Sequence, residues 1–168
     1  MLMGVVLALF GLTALGWWWR HPGMFGNQGN VVFIYSPTGT TAWLDLTQPL
    51  RKLEADTVTI HSVEPQVVKG NATIEVMACG TSESKNGVGA VRGSLDDYCE
   101  WLMQAEGSTL GVDDQLLLRV HSDEPDRVVV KGVSVVYSYG WQRGSQVTGQ
   151  TVRVRFGTKT VREHLTSR

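Results

Sequence analysis

Two hydrophobic patterns divide the chain. From Leu2 to Trp19 the apolar run carries no charge and is interrupted only by Gly and Thr. As a helix rising 1.5 Å per residue it would reach about 27 Å, close to the ~30 Å hydrocarbon core of a bilayer. Trp17-Trp18-Trp19-Arg20 follows, which suits a membrane–water boundary: amphipathic rings at headgroup level, then a charge able to snorkel outward. The pattern predicts a transmembrane helix over 1–20. A cleaved signal peptide is the competing reading, but no Lys or Arg precedes the run and a cut after Gly16 would leave Trp17 first. Gly4, Ala8 and Gly11, continued by Ala14, place small residues on one helical face where another membrane helix could pack closely.

Beyond residue 30 the period changes. Residues 21–30 are Gly- and Asn-rich without periodicity and read as a connector, leaving 31–168 as one domain. Short β-branched and aromatic runs predict strands at Val31–Tyr35, Thr41–Leu46, Val58–Ser62, Val67–Ala78, Leu116–His121, Val128–Tyr139 and Val147–Phe156. In the last of these Val152, Val154 and Phe156 alternate with Arg153 and Arg155, as in a strand with one face buried. One helix is expected. Ser94 and Asp97 resemble a capping box, Leu95, Tyr98, Cys99, Leu102 and Met103 recur at helical spacing, and Gly107 is a stop.

An internal repeat suggests pseudo-symmetric halves. Ile60-His61-Ser62-Val63-Glu64-Pro65 and Val67-Val68-Lys69-Gly70 are echoed by Val120-His121-Ser122-Asp123-Glu124-Pro125 and Val129-Val130-Lys131-Gly132. Glu-Pro belongs in a connection, because Pro lacks a donor for a central strand, and Lys-Gly suggests a bulge or a close backbone approach. The fold class implied is mainly β: an Ig-like antiparallel β-sandwich with one short helix behind a membrane anchor.

Cys79 and Cys99 are the two cysteines, and one disulfide between the predicted strand and helix is the simplest arrangement in an oxidising compartment. Charge is uneven. Residues 1–142 hold nine Lys/Arg against fifteen Asp/Glu, whereas 143–168 hold six against one. The near-neutral total argues against general nucleic-acid binding. Arg20 alone would place the domain on the cytoplasmic side, but the paired cysteines and β texture favour an extracytoplasmic domain.

Candidate chemistry is thin. The loop Gly87–Gly93 lacks the spacing of a phosphate cradle and reads as a flexible surface loop. His61-Ser62 and His121-Ser122 are strand neighbours pointing to opposite faces, so neither is poised for proton transfer. The two His with Glu64 and Glu124 could hold a metal only if the halves faced each other. Tyr137, Tyr139 and Trp141 alternate along one face, forming either part of the core or, if exposed, a stacking platform. Arg153 and Arg155, with Arg143 and the basic tail, form either a solvated face or a contact for anionic headgroups or an acidic neighbouring subunit.

These features imply a non-catalytic, single-pass accessory or structural subunit, contacting other integral membrane subunits and lipid, with no cofactor and no metal. A tethered module for a small ligand or glycan, using Tyr137, Tyr139 and Trp141, is the alternative; a viral membrane or capsid-associated protein is a third.

Overall fold

Alternation along the last strand sets the architecture: Val152, Val154 and Phe156 are buried while Arg153 and Arg155 are exposed, as their period-two pattern requires. The computed structural model describes residues 23–26, 29–49, 57–81 and 87–157. The apolar stretch Leu2–Trp19, with Gly4, Ala8, Gly11 and the Trp17-Trp18-Trp19-Arg20 boundary, lies outside the described residues. Among the described residues no helix is long and apolar enough to cross a membrane.

Ten strands follow one another: β1 (Val31–Ser36), β2 (Ala42–Thr47), β3 (Val58–Lys69), β4 (Thr73–Gly80), β5 (Ala90–Arg92), β6 (Trp101–Gln104), β7 (Thr109–Leu110), β8 (Gln115–His121), β9 (Arg127–Tyr139) and β10 (Gln142–Phe156). They form two five-stranded sheets in a sandwich-like arrangement, ordered β1-β10-β9-β3-β7 and β5-β2-β8-β4-β6. β1 pairs with β10 in parallel; the other neighbours are antiparallel. The core lies between the sheets. Ile34, Ile60, Val130, Val135, Tyr137 and Val154 from the first meet Leu44, Leu46, Val76, Leu116, Leu118 and Val120 from the second.

The entering chain is built into that core. Met24 is buried and Phe25 is 2% exposed, although 21–30 reads as a featureless connector. Phe25 packs edge-on to Tyr137 with ring centroids 5.4 Å apart. Its backbone N–H donates to Gln146 Oε1, and Gln146 Nε2 donates to its carbonyl. Gly26 O accepts from Thr47 Oγ1 of one sheet and Thr148 Oγ1 of the other. Two apolar side chains among glycines and asparagines carry no period, so the pattern along the chain does not mark them.

The expected helix over 94–106 is absent. Ser94 Oγ does accept from Asp96 N, and Leu95 O accepts from the N–H groups of Tyr98 and Cys99, but this is a single turn. Trp101–Gln104 then pairs with β4, with Gly80 opposite Trp101 and Met77 opposite Gln104. Two constraints favour the strand. The Cys79–Cys99 disulfide, with its Cα atoms 5.4 Å apart, delivers the chain beside β4, and the β4 edge supplies backbone partners that an exposed helix would leave idle. Closing the 20-residue separation contributes about 3 kcal/mol in the chain-entropy model. The Gly87–Gly93 loop also gains order: Val88 is buried and Ala90–Arg92 pairs with β2.

The repeat does not correspond to two symmetric halves. Both Val-Val-Lys-Gly segments lie in one sheet as paired neighbours, Val67 opposite Val130 and Lys69 opposite Val129. Glu64-Pro65 lies inside β3, where register shifts on both sides of this segment accommodate a residue without a donor, whereas Glu124-Pro125 is in the β8–β9 connection. Gly132 is the close backbone approach that Lys-Gly implied: it stands opposite Gly149 and Gln150, where the register of β10 shifts between Thr148 and Thr151. Its φ is +85°, and an added Cβ would fall 2.3 Å from Thr148 O, a backbone atom that cannot move aside.

Gly132→Ala is therefore expected to lower unfolding free energy by about 3 kcal/mol, combining left-handed strain with overpacking. Gly39→Ala shares the positive φ but meets nothing within 4 Å and should cost only about 1 kcal/mol. Urea denaturation of the two variants checks the difference; equal losses would contradict the close approach.

Candidate functional site

The two outer faces of the sandwich differ. The second sheet is covered by its own chain: Trp43, Cys79, Val88, Leu95, Cys99 and Leu117 form a separate small core there, flanked by Met77, Val91 and Tyr98. Several of its polar groups are paired. Trp43 Nε1 donates to Gly93 O at 2.7 Å, Gln115 Oε1 accepts from Val88 N at 2.8 Å, and Arg119 lies over the Trp43 ring while pairing with Glu75. The outer face of the first sheet carries no such cover among the described residues.

That face is assembled across four strands. One register row runs Phe33, Arg153, Val129, Lys69. The next row places Tyr35, Arg155 and Arg127 side by side, and the row on the other side Val31, Thr151 and Lys131. Phe33 is 64% exposed and Val31 56%, while Lys69, Arg127, Lys131, Arg153 and Arg155 are all exposed. Phe33 and Val129, with Lys69, Arg127, Arg153 and Arg155, line a shallow depression of about 360 Å³. Opposing charge is sparse. Glu64 stands further along β3, and Asp126 sits at the rim with its carboxylate accepting from the backbone N–H groups of Asn71, Ala72 and Arg127. Five cations around exposed apolar side chains give this face a chemistry complementary to an acidic, partly apolar surface.

The candidate aromatic platform is broken up. Tyr137 is fully buried and belongs to the core, where its ring meets Phe25. Burial pushes its hydroxyl above the usual tyrosine range, against a hydrogen bond with the Met24 backbone that pulls the other way. Tyr139 is half-buried against the core, and only Trp141, at the β9–β10 turn, is strongly exposed. Tyr137 and Tyr139 lie on β9, where the face looks inward at Tyr137, whereas Trp141 falls in the turn beyond the strand. A three-ring platform for a glycan does not form.

His61 lies within β3 of the first sheet and His121 at the end of β8 in the second. His121 Nε2 lies 3.2 Å from Asp123 Oδ1 and its Nδ1 3.3 Å from Thr41 Oγ1. Among the described residues no group of three or more His, Cys, Asp or Glu could hold a metal ion.

Asp45 has a carboxylate oxygen that is buried and without a hydrogen-bond partner. It sits in β2 between Leu44 and Leu46, where desolvation raises its pKa from 3.8 to about 6. The signal for it was a lone acid in the apolar run Ala42–Leu46. Phe33, Lys69, Arg127 and Lys131 were not legible as site members, because only the register brings four separate strands into one surface.

No family model, characterised protein or solved structure matches the chain.

Because the folded pKa of Asp45 is raised, the native state holds the proton more tightly than the unfolded chain between about pH 3.8 and 6. Stability contributed by that proton is present at low pH and is lost as pH rises through this window. Asp45→Asn should therefore stabilise the fold at pH 7 by about 3 kcal/mol and give almost no advantage at pH 3.5. Urea midpoints at both values check this; an equal effect at each would mean that the group is not desolvated.

Proposed function

We propose that this chain is a non-catalytic, membrane-tethered accessory subunit, and that the outer face of β1-β10-β9-β3 receives an acidic surface of a partner subunit. The observation that carries the reading is the asymmetry of the sandwich. One outer face is sealed by the chain's own insertion, and the other shows Val31 and Phe33 among five cations. Isolated exposed apolar residues are ordinary, but an aromatic and aliphatic cluster ringed by arginines has the composition of an interface centre.

Sheet order supports the Ig-like reading of the domain. With β2, β3, β4, β8, β9 and β10 taken as strands B to G, the order G-F-C faces B-E-D. β5, β6 and β7 are then an insertion between D and E, held down by the disulfide.

Placement of the cations favours a protein over lipid as their counterpart. Residues 24–26 run alongside β10, with Phe25 at Gln146 and Gly26 at Thr148, and β1 continues in the same direction from Thr151 to Phe156. The upstream chain thus leaves near the β9–β10 turn. Arg153 and Arg155 lie eleven and thirteen residues along β10 from Gln142, roughly 35–45 Å away at some 3.3 Å per residue. A membrane at the exit end would be several Debye lengths from them.

The double variant Arg153→Glu/Arg155→Glu should emerge from mild detergent as a lone chain, whereas the parent emerges in a heteromeric complex. Its unfolding free energy should stay within about 0.5 kcal/mol of the parent, because both side chains are exposed. Arg92→Glu, on the other sheet, is the control and should leave the complex intact. Unchanged recovery of the complex with the double variant would overturn the assignment of this face.

A further inference from the structure

The end of the sandwich from which the chain departs has a feature of its own. β9 and β10 are joined by a tight turn at Gly140, whose φ is +56°, and Trp141 in that turn is 68% exposed. Arg143, also exposed, follows two residues later. An exposed indole on a tight turn, with an exposed arginine two residues on, is well suited to the headgroup zone, where an amphipathic ring and a cation are both solvated.

The length of chain outside the fold keeps this end of the domain close to the bilayer if the N-terminal run is an anchor. Met24 and Phe25 are fixed between the sheets, so the link between Trp19 and Gly23 is only Arg20-His21-Pro22. Four Cα–Cα steps span at most about 14 Å even when fully extended. The zone beyond the hydrocarbon is about 6 Å deep on each side, so Gly23 can stand only a short way above it.

We propose that the β9–β10 turn, through Trp141 and Arg143, rests in the headgroup zone of the bilayer that holds the N-terminal segment. This rests on the tethered-subunit reading. An indole and a guanidinium are both solvated by a zwitterionic headgroup layer, so the contact needs no anionic lipid.

The test uses the full chain in phosphatidylcholine vesicles. Cys79 and Cys99 are paired, so a nitroxide can be placed on a single added thiol: Trp141→Cys or Arg143→Cys at the turn, and Thr38→Cys at the opposite end. Electron paramagnetic resonance with oxygen and a water-soluble nickel complex then reads depth. Labels at 141 and 143 should show headgroup-depth accessibility, with Thr38→Cys fully aqueous. All three aqueous on a chain that floats with the vesicles would overturn the proposal while leaving the anchor standing. A chain that does not float with the vesicles would overturn both. Agreement of the 141 and 143 labels guards against a local effect of removing the indole.

Discussion

The contact between Phe25 and Tyr137 is the interaction on which the placement of everything else depends. An edge-on ring pair in the core, reinforced by paired hydrogen bonds to Gln146, fixes the entering chain to β10 before the first strand begins. Because Gly26 is held by threonines of both sheets, this short segment also ties the two layers together. From that point the direction of β1, its parallel pairing with β10, and the end at which the preceding chain emerges are all determined. The end of the sandwich at which residues 23–26 enter thus follows from packing.

A second constraint is the unequal treatment of the two outer faces. The residues between β4 and β8 could have formed an independent helix. The disulfide and the free edge of β4 instead draw them over the second sheet, where Trp43, Leu95 and Leu117 bury one another. No equivalent segment reaches the first sheet among the described residues, and its outward positions carry lysine and arginine beside phenylalanine and valine. The same period-two pattern that buries Val152 and Val154 necessarily presents Arg153 and Arg155. Core and candidate interface are two sides of one strand.

What could be read from the residues followed from local periodicity. The strands from Val31, Val128 and Val147 and the inward and outward sides of residues 152–156 stand as their alternation implied, with Cys79 and Cys99 joined. What could not be read depended on long-range pairing. Leu95, Tyr98 and Cys99 do bury together, but Leu102 and Met103 continue the helical spacing only by coincidence and lie on an exposed edge strand. The His-Ser-x-Glu-Pro repeat looked like duplicated turns, yet one copy is a bulged strand interior and the other a connection. Tyr137 and Trp141, alike in the pattern, differ because Tyr137 lies within β9 under Phe25 whereas Trp141 lies in the β9–β10 turn and is exposed.

The central claim, that the cationic face of the first sheet is covered in the working assembly, is tested most directly by amine footprinting at Lys69 and Lys131. Acylation in native membranes, compared with the same chain purified in detergent, should fall several-fold at both lysines. Equal labelling in the two preparations would show that water reaches this face at all times and would contradict the account.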